Sequence, residues 1–264
     1  MENDALKVPV MAELQAEGKT PEYLFWVGCA GAYDDRYKKV TQAFAKILLH
    51  LNIDFGVLGN EERCTGDPAR RAGNEMLFQM MALMNIEVLN AYNVKKIITI
   101  CPHCYNVFKN EYSELGGEYE VIHHTQFLKQ MIAENKIKLE NTEYVNKLIT
   151  YHDPCYMGRA NEDYDSARDV IKGLGANLIE MKNNKSSALC CGAGGGQMFK
   201  EAEEGDKEVF IERTEEALDT KANLIASSCP FCMVMLTDGL KYKNKEEEVF
   251  NYDVAELVAS ALNL

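Results

Sequence analysis

Nine cysteines fall into two series whose internal spacings nearly coincide. The first series consists of Cys29, Cys64, Cys101 and Cys104, and the second of Cys155, Cys190, Cys191, Cys229 and Cys232. Corresponding cysteines are separated by 126, 126, 128 and 128 residues. Matched offsets of this kind indicate an internal duplication. The first series lacks one member, because Thr65 stands where the second series has Cys191.

Both series end in a Cys-Pro-x-Cys motif, Cys101-Pro102-His103-Cys104 in the first and Cys229-Pro230-Phe231-Cys232 in the second. Such a motif at the start of a helix places two thiols within one turn, near the positive end of the helix dipole. That position lowers the thiol pKa and favours thiolate. Several thiolates gathered in a protein interior need a compensating positive charge. A metal ion or a cluster is therefore the predicted occupant of each series.

The number of cysteines distinguishes the two predicted sites. Five thiolates exceed the four that structural zinc uses, and the adjacent Cys190 and Cys191 suit two metal ions better than one. A multinuclear iron–sulfur site fits both observations, with the glycines after Cys191 allowing backbone N–H groups to approach it. The four cysteines of the first series suffice for a second [4Fe-4S] cluster, which we expect there, or for zinc; an empty site is the third alternative.

The elements that must position these cysteines are predicted to alternate between strands and amphipathic helices. Predicted strands cover 23–28, 54–58, 96–100, 119–122, 147–151, 177–181 and 223–227, and a last strand and helix lie within 248–262. Predicted helices cover 36–50, 68–92, 125–132, 165–174 and 204–220, and two more begin at Pro102 and Pro230. Alternation of this kind is typical of parallel sheets covered by helices. Each cysteine group follows a strand, so each half can gather its own group at one sheet edge.

The predicted fold class is therefore α/β, with two pseudo-symmetric halves, each a parallel-type sheet flanked by helices. The predicted domains are an N-terminal extension over 1–22, a first cysteine-rich domain over 23–134 and a second over 143–264. The joint is predicted in the polar stretch 134–142.

Composition narrows the class of protein. A net charge of −13 argues against nucleic acid as a partner, since phosphate binding needs clustered Lys and Arg. No apolar run approaches the roughly 20 residues that cross a bilayer, and the first 20 residues lack an apolar signal segment. We therefore expect a cytoplasmic chain that does not insert into a membrane. A position at the surface of a membrane complex is compatible with this expectation. In that compartment the cysteines are expected to be ligands or redox groups rather than disulfides.

The second series with its flanking residues resembles a known family. The pattern Cys155-x34-Cys190-Cys191-Gly192-x36-Cys229-x2-Cys232, preceded by His152-Asp153-Pro154, is similar to the cysteine-rich CCG domain in the B-type subunit of heterodisulfide reductase. Related iron–sulfur subunits occur in glycolate and lactate oxidation systems. The resemblance covers roughly residues 23–262.

The resemblance implies an oxidoreductase subunit for electron transfer or disulfide reduction. It implies a noncubane [4Fe-4S] cluster on Cys155, Cys190, Cys191, Cys229 and Cys232, through which catalysis would occur. The first half departs from the family pattern at Thr65. No closely spaced ferredoxin pattern is present, so a partner subunit carrying flavin or ferredoxin-type clusters is expected.

Two further functions are compatible with the same cysteines. One is a non-catalytic protein with structural zinc sites, and the other is a metal-free thiol oxidoreductase using Cys101-Pro102-His103-Cys104. The Gly-rich stretch after Cys191 is not a nucleotide loop, because Gln197 stands where a third glycine is required.

The remaining polar and apolar motifs have structural interpretations. His123, His124 and His152 are predicted to be hydrogen-bonded structural groups. His103 is predicted to tune its own cluster through an N–H bond to sulfur. The predicted core includes four methionines of one helix, Met76, Met80, Met81 and Met84. The predicted position of the Arg70-Arg71 pair is a solvated face.

Overall fold

The computed structural model describes residues 6–140, 142–201 and 204–264. Residues 1–5 of the predicted N-terminal extension and residue 141 of the predicted joint lie outside the described residues. None of the described helices combines the length and the apolarity needed to span a bilayer.

Two four-stranded parallel sheets form the framework of the chain. The first contains β1 (Tyr23–Trp26), β2 (Phe55–Gly56), β3 (Lys96–Thr99) and β4 (Glu120–His123), in the order β2-β1-β3-β4. The second contains β5 (Leu148–Tyr151), β6 (Asn177–Leu178), β7 (Leu224–Ser227) and β8 (Phe250–Asp253), in the order β6-β5-β7-β8. The two orders are the same, and all pairings are parallel. The predicted α/β architecture with two similar halves is therefore confirmed.

Helices follow the strands as a parallel sheet requires. Those of the first half are α1 (Met11–Ala16), α2 (Gly28–Tyr33), α3 (Tyr37–His50), α4 (Asp67–Arg71), α5 (Glu75–Ala91), α6 (Pro102–Asn110) and α7 (His124–Ala133). Those of the second half are α8 (Ser166–Gly173), α9 (Val209–Asp219), α10 (Pro230–Tyr242) and α11 (Val254–Ala261). Proline occupies the first helical position of both α6 and α10, where its missing N–H costs nothing.

Two predicted helices differ from the structure. The single helix predicted over 68–92 is divided into α4 and α5, because Gly73 has a φ of 87° and Asn74 starts a new helix. The Asn74 side chain accepts a hydrogen bond from the Leu77 N–H at 3.1 Å, as an N-cap residue does. The helix predicted over 204–220 begins only at Val209.

The methionines of α5 do not fill the core. Met76, Met80 and Met84 are 73%, 55% and 43% exposed, and Met81 is half-buried. The buried face of α5 consists of other residues, such as Phe78. The prediction was wrong because α5 is apolar on both faces, so the sequence pattern does not identify the face that meets the sheet.

One apolar core joins the two halves. It includes Phe44 and Phe127 of the first half and Val170 and Leu257 of the second, all buried. Helices α3 and α7 pack against α8 and α11 of the other half. The two halves therefore share a continuous interior.

Buried polar contacts cross the same interface. His124 Nε2 lies 2.9 Å from Asp253 Oδ1, and the Tyr37 hydroxyl donates to Asp253 Oδ2 at 3.1 Å. His123 caps the start of α7 in a capping box with Gln126. The structural interpretation of His123 and His124 is confirmed by these hydrogen bonds.

Candidate metal centres

The second-half cysteines come from three segments that meet at one sheet edge. Cys229 is the N-cap residue of α10, directly after β7, and Cys232 lies in the first turn of that helix. Cys155 follows β5, and the Cys190-Cys191 pair lies in the loop before α9. Cys191, Cys229 and Cys232 are buried, whereas Cys155 and Cys190 are half-buried. One side of this group is therefore accessible from outside. We call these five cysteines the second centre.

The five thiols of the second centre lie close enough to affect one another's ionisation. Neighbouring members of the order Cys155, Cys190, Cys191, Cys232 and Cys229 shift each other's pKa values. Hydrogen bonds from Cys155 and then Cys191 lower the pKa of the Cys190 thiol, while the bond to Cys190 raises the pKa of Cys155. Burial opposes ionisation of Cys229, but hydrogen bonds from Cys232 and His103 bring its pKa to about 5. The arrangement thus favours thiolate at two of its members.

The first-half cysteines gather in the equivalent way. Cys101 is the N-cap residue of α6 and Cys104 lies in its first turn, and both are buried. Cys29 lies in the first turn of α2, and Cys64 lies in the loop before α4. A hydrogen bond from Cys29 lowers the pKa of the Cys64 thiol to about 6. We call these four cysteines the first centre. They surround a small cavity, which is lined by Cys29, Cys64, Thr65, Asp67, Pro68, Cys101, His103, Cys104 and Phe231.

Thr65 is the counterpart of Cys191 in this cavity. It is buried, with 2% of its surface exposed, and its carbonyl accepts a hydrogen bond from the Tyr112 hydroxyl at 3.0 Å. The first centre therefore has four thiols and one hydroxyl in place of five thiols. A hydroxyl is a poor ligand for iron in comparison with a thiolate.

The turns that follow Cys64 and Cys190 have the same conformation in the two halves, and both depend on glycine. The N–H of Gly66 donates to Cys64 Sγ at 3.4 Å, and that of Gly192 donates to Cys190 Sγ at 3.3 Å. Gly66 and Gly192 have φ values of 89° and 90°, which residues with a Cβ rarely adopt. The two N–H groups stabilise negative charge on the sulfurs that they contact.

Replacement of Gly66 by alanine tests how closely this turn packs against Phe78. A Cβ at Gly66 would lie 3.0 Å from Phe78 Cδ2, whereas a Cβ at Gly116, which has a similar φ of 85°, would meet nothing within 4 Å. Both Gly66→Ala and Gly116→Ala carry the backbone penalty, so Gly116→Ala serves as the matched control. Overpacking adds roughly 1–3 kcal/mol to the cost of Gly66→Ala. Unfolding midpoints measured without oxygen should show this difference, and equal destabilisation of the two variants would contradict the structure.

A buried hydrogen-bond network orients His152 against the second centre. Its Nδ1 accepts from Arg213 Nε at 2.9 Å, and Arg213 also donates to Glu216 at 2.6 Å. Burial, and then the Arg213 charge, lowers the pKa of His152 to about 3, so the ring is neutral. One of its nitrogens lies within 4.8 Å of the sulfurs of Cys191 and Cys232. His152 is thus hydrogen-bonded as predicted, and it also lies beside the thiols of Cys191 and Cys232, which the spacing alone does not indicate.

His103 is oriented by a carboxylate of its own half. Its Nδ1 lies 2.8 Å from Asp67 Oδ2, and its ring packs edge-on against Phe231 of the other half at a centroid distance of 4.8 Å. The loops after β3 and β7 therefore face each other across the interface. That His103 tunes its own cluster through an N–H bond to sulfur stays a prediction, and its ring lines the cavity of the first centre.

Asp67 and Glu62 are two residues near the first centre that sequence reasoning missed. Asp67 is buried, and its position directly after Gly66 was the available signal. Glu62 accepts hydrogen bonds from the N–H groups of Val27 and Gly28, beside Cys29. Burial raises the pKa of Glu62 to about 7 against the effect of those two bonds. Nothing in the spacing of Glu62 indicates this contact.

Arg70 and Arg71 are exposed in part and also form ion pairs. Arg70 Nη1 donates to Glu111 at 2.8 Å, Arg71 Nη2 also bonds Glu111, and Arg71 Nε donates to Asp67 at 3.1 Å. Arg71 is exposed and Arg70 is half-buried, so they lie at the surface as predicted, but the sequence did not indicate their shared partner Glu111, about 40 residues away in the chain. The two arginines fix α4 beside the first centre.

The donor sets fit metal clusters. Five thiols gathered at one sheet edge exceed the needs of one tetrahedral zinc ion, and the burial of three of them calls for a compensating cation. The first centre offers four thiols, the number that an ordinary [4Fe-4S] cluster or one zinc ion uses. The residues of both halves are therefore able to hold metal, with the greater number of sulfur donors in the second.

Comparison with known families agrees with this chemistry. The family model for the cysteine-rich domain, CCG, matches residues 23–109 and again 149–237. The chain belongs to the cysteine-rich CCG domain family. The predicted resemblance is confirmed, and each match includes the complete cysteine series of its half.

Three curated relatives show the range of proteins that contain this region. The probable iron–sulfur-binding oxidoreductase FadF of Bacillus subtilis is 46% identical over 257 residues, 97% of this chain and 36% of the relative. The EtfAB:quinone oxidoreductase of Syntrophomonas wolfei is 44% identical, over 94% of this chain and 35% of the relative. The D-type subunit of the dihydromethanophenazine:CoB–CoM heterodisulfide reductase of Methanosarcina barkeri is 35% identical, over 97% of this chain and 62% of the relative.

The chain spans about a third of the length of the first two relatives and less than two thirds of the third. All three are named as oxidoreductases or as part of a reductase. These relatives support an iron–sulfur, oxidoreductase-related role for the CCG region.

Proposed function

We propose that this chain is an iron–sulfur oxidoreductase module that transfers electrons between a redox partner and an acceptor. The observation that carries the proposal is the gathering of five free cysteines at one edge of the second sheet, of which Cys155 and Cys190 are half-buried. Five thiols need a cluster of several metal ions, and this group is accessible on one side. Such a site suits electron exchange better than a purely structural role.

The second centre is proposed to hold a noncubane [4Fe-4S] cluster on all five of its cysteines. When bound, such a cluster supplies reversible electron uptake. The chain contributes the five sulfur ligands, the Gly192 N–H directed at Cys190 and the neutral His152 beside Cys191. For the first centre we propose a [4Fe-4S] cluster on Cys29, Cys64, Cys101 and Cys104, with zinc as the alternative occupant.

A redox partner is part of this proposal. The chain lacks the closely spaced cysteine pattern of ferredoxins, so we infer that electrons come from or go to a protein that carries flavin or ferredoxin-type clusters. We further propose that the two domains extend over 23–134 and 143–264, and that the chain acts in the cytoplasm or at the surface of a membrane complex.

Disulfide reduction is a second candidate function with its own support. Cys155 and Cys190 are half-buried, and the neighbouring Gly194, Gly195 and Gly196 add no side chains that would obstruct a small disulfide. The relative from Methanosarcina barkeri is named as part of a heterodisulfide reductase.

A reoxidation experiment tests the proposal and separates the two candidates. The chain, purified without oxygen and reduced with dithionite, is mixed either with an oxidised flavoprotein or with a small organic disulfide. Electron transfer predicts rapid recovery of the cluster absorbance with the flavoprotein and no release of thiol from the disulfide. Disulfide reduction predicts two thiols released per disulfide consumed. A reduced chain that neither acceptor reoxidises, or one that shows no absorbance change on reduction, would contradict the proposed function.

A further inference from the structure

His152 lies beside both a buried guanidinium and the sulfurs of the second centre. The residue is 1% exposed, and its backbone N–H donates to the Ala226 carbonyl at 3.0 Å. Its Nδ1 lies 2.9 Å from Arg213 Nε. One nitrogen of the ring also lies within 4.8 Å of the sulfurs of Cys191 and Cys232. Because Nδ1 is engaged by Arg213, Nε2 is the ring nitrogen that remains to act on the second centre.

Arg213 is held in place by two further acceptors. It is 0% exposed, and its Nη1 donates to the Asn183 carbonyl at 2.8 Å and to Glu216 Oε2 at 2.6 Å. The Asn183 N–H in turn bonds the Glu216 carboxylate. A guanidinium has five N–H donors and no acceptor, and it stays charged in proteins. The hydrogen bond between Arg213 and His152 therefore has only one polarity, with Arg213 as the donor.

This polarity fixes the position of the proton on the His152 ring. A neutral imidazole has one nitrogen that donates and one that accepts. Since Nδ1 accepts from Arg213, the proton of His152 is on Nε2. A histidine that binds a metal through Nε2 needs its proton on Nδ1, where it usually donates to a carboxylate or a carbonyl. In His152 that proton would meet the N–H of Arg213, donor against donor.

The first half has an N–H donor at the corresponding position of the sequence. Trp26 lies 126 residues before His152, which is the offset between Cys29 and Cys155. The Nε1 of an indole donates a hydrogen bond and cannot accept one. Trp26 is 0% exposed, and its Nε1 has no hydrogen-bond partner among the residues that the structure describes. A donor that cannot be a metal ligand therefore occurs at this position in both halves.

We propose that Arg213 is a positioning residue, which makes His152 a hydrogen-bond donor to the second centre and prevents it from becoming a sixth ligand. This inference rests on the proposed function, since it requires a cluster on Cys191, Cys232 and their partners. A hydrogen bond donated to a cluster sulfur stabilises the more negative, reduced state, so His152 raises the reduction potential. The potential of the second centre thus depends on a residue of α9, 61 positions after His152.

Four variants test the position of the proton and the role of Arg213. His152→Leu removes both ring nitrogens, whereas His152→Gln has an oxygen that can accept from Arg213 and an amide that can donate to the second centre. Arg213→Met removes the guanidinium. The double variant His152→Leu/Arg213→Met shows whether Arg213 acts through His152. Asn183 and Glu216 line a surface cleft, so water can reach the groups that Arg213→Met leaves without a partner.

The first measurement is an EPR-monitored redox titration, with iron and sulfide content determined on the same samples, all purified without oxygen. The signals of the two centres are assigned with Cys64→Ser and Cys191→Ser. We expect the midpoint potential of the second centre to shift to more negative values in His152→Leu and in Arg213→Met, and to stay close to the wild type in His152→Gln. The double variant should shift no further than His152→Leu. Arg159→Met is the matched control, because it removes the same charge from an exposed position of the same half, and it should leave the potential unchanged.

The second measurement is pulsed EPR on wild-type protein that contains isotopically labelled histidine, and it distinguishes a donor from a ligand. The label enters all five histidines, so the coupling that disappears in His152→Leu is the one from His152. We expect a weak nitrogen coupling and an exchangeable proton coupling in the signal of the second centre. The strong coupling of a nitrogen bonded to iron would overturn the proposal.

The remaining outcomes separate positioning from charge and from a structural role. An unshifted second centre in His152→Leu with full iron content would overturn the proposal. A double variant that shifts as far as the two single shifts combined would overturn it as well, because Arg213 would then act by its charge and not through His152. A wild type without iron and sulfide would overturn the proposed function, and this inference with it, before any variant is compared.

Discussion

Cys191→Ser is expected to reduce the iron and sulfide content of the chain by about half. Cys191 joins Cys190 to Cys232 in the series of five thiols, so its loss divides the second centre into two groups of two. With one cluster in each half, the wild type should contain about eight irons and the variant about four. Iron and acid-labile sulfide, measured on protein purified without oxygen, check this result.

Thr65→Ser is the matched control for Cys191→Ser. Thr65 occupies the equivalent position of the first centre, and serine retains its hydroxyl. This variant should keep the full iron content and both EPR signals. Serine is nearly isosteric with cysteine, so far-UV circular dichroism should be unchanged in Cys191→Ser. If Cys191→Ser kept all its iron, the proposed five-cysteine ligand set would be wrong.

Arg168→Met is expected to have a large effect on stability, because it breaks a buried ion pair. Arg168 is 2% exposed and donates to Asp153 at 2.6 and 2.9 Å and to Glu180 at 2.7 and 2.8 Å. Methionine leaves the buried carboxylate of Asp153 without its cation. Removal of one partner from a buried ion pair costs about 3–5 kcal/mol. Urea unfolding of the wild type and the variant, measured without oxygen, gives this difference.

Two companion variants make the Arg168 experiment specific. Arg159→Met removes an arginine from an exposed position of the same half, and it should change stability by no more than about 0.5 kcal/mol. Asp153→Asn in the Arg168→Met background removes the uncompensated charge and should recover part of the loss. Equal unfolding midpoints for Arg168→Met and Arg159→Met would show that the buried ion pair contributes little.

The same ion pair connects stability with the second centre. Asp153 lies two residues before Cys155, and its Oδ2 also accepts from the Lys185 N–H at 2.9 Å. Arg168 therefore links α8 to the loop that carries Cys155. We expect Arg168→Met to lose iron from the second centre at lower urea concentrations than the wild type does.

The sequence was sufficient to predict the fold and the gathering of the cysteines into one group in each half. The matched cysteine offsets predicted the duplication, and the alternation of strands and helices predicted two parallel sheets. In such sheets the loops after the strands meet at one edge, so Cys101 after β3 and Cys229 after β7 had to lie with the other cysteines of their halves. Here local pattern and global fold agree, which is why the prediction succeeded.

The sequence could not predict the contacts that depend on how the halves pack together. The ring of His103 packs against that of Phe231, 128 residues away, and no spacing rule predicts this contact. The Met76 side chain is exposed because α5 offers two apolar faces and only the packed structure selects one. The break at Gly73 was visible as a glycine, but the residues around it have a helical pattern that concealed it. In each of these cases the tertiary structure overrides the local sequence pattern from which the prediction was made.

The most direct test of a cluster in each half is the iron, zinc and acid-labile sulfide content of the wild-type chain, with EPR spectra, on protein purified without oxygen. We expect iron and sulfide in equal amounts, at about eight of each per chain, and two distinguishable cluster signals. Two zinc ions per chain and no sulfide would contradict it, and would mean that the duplicated cysteines stabilise the fold and carry no electrons.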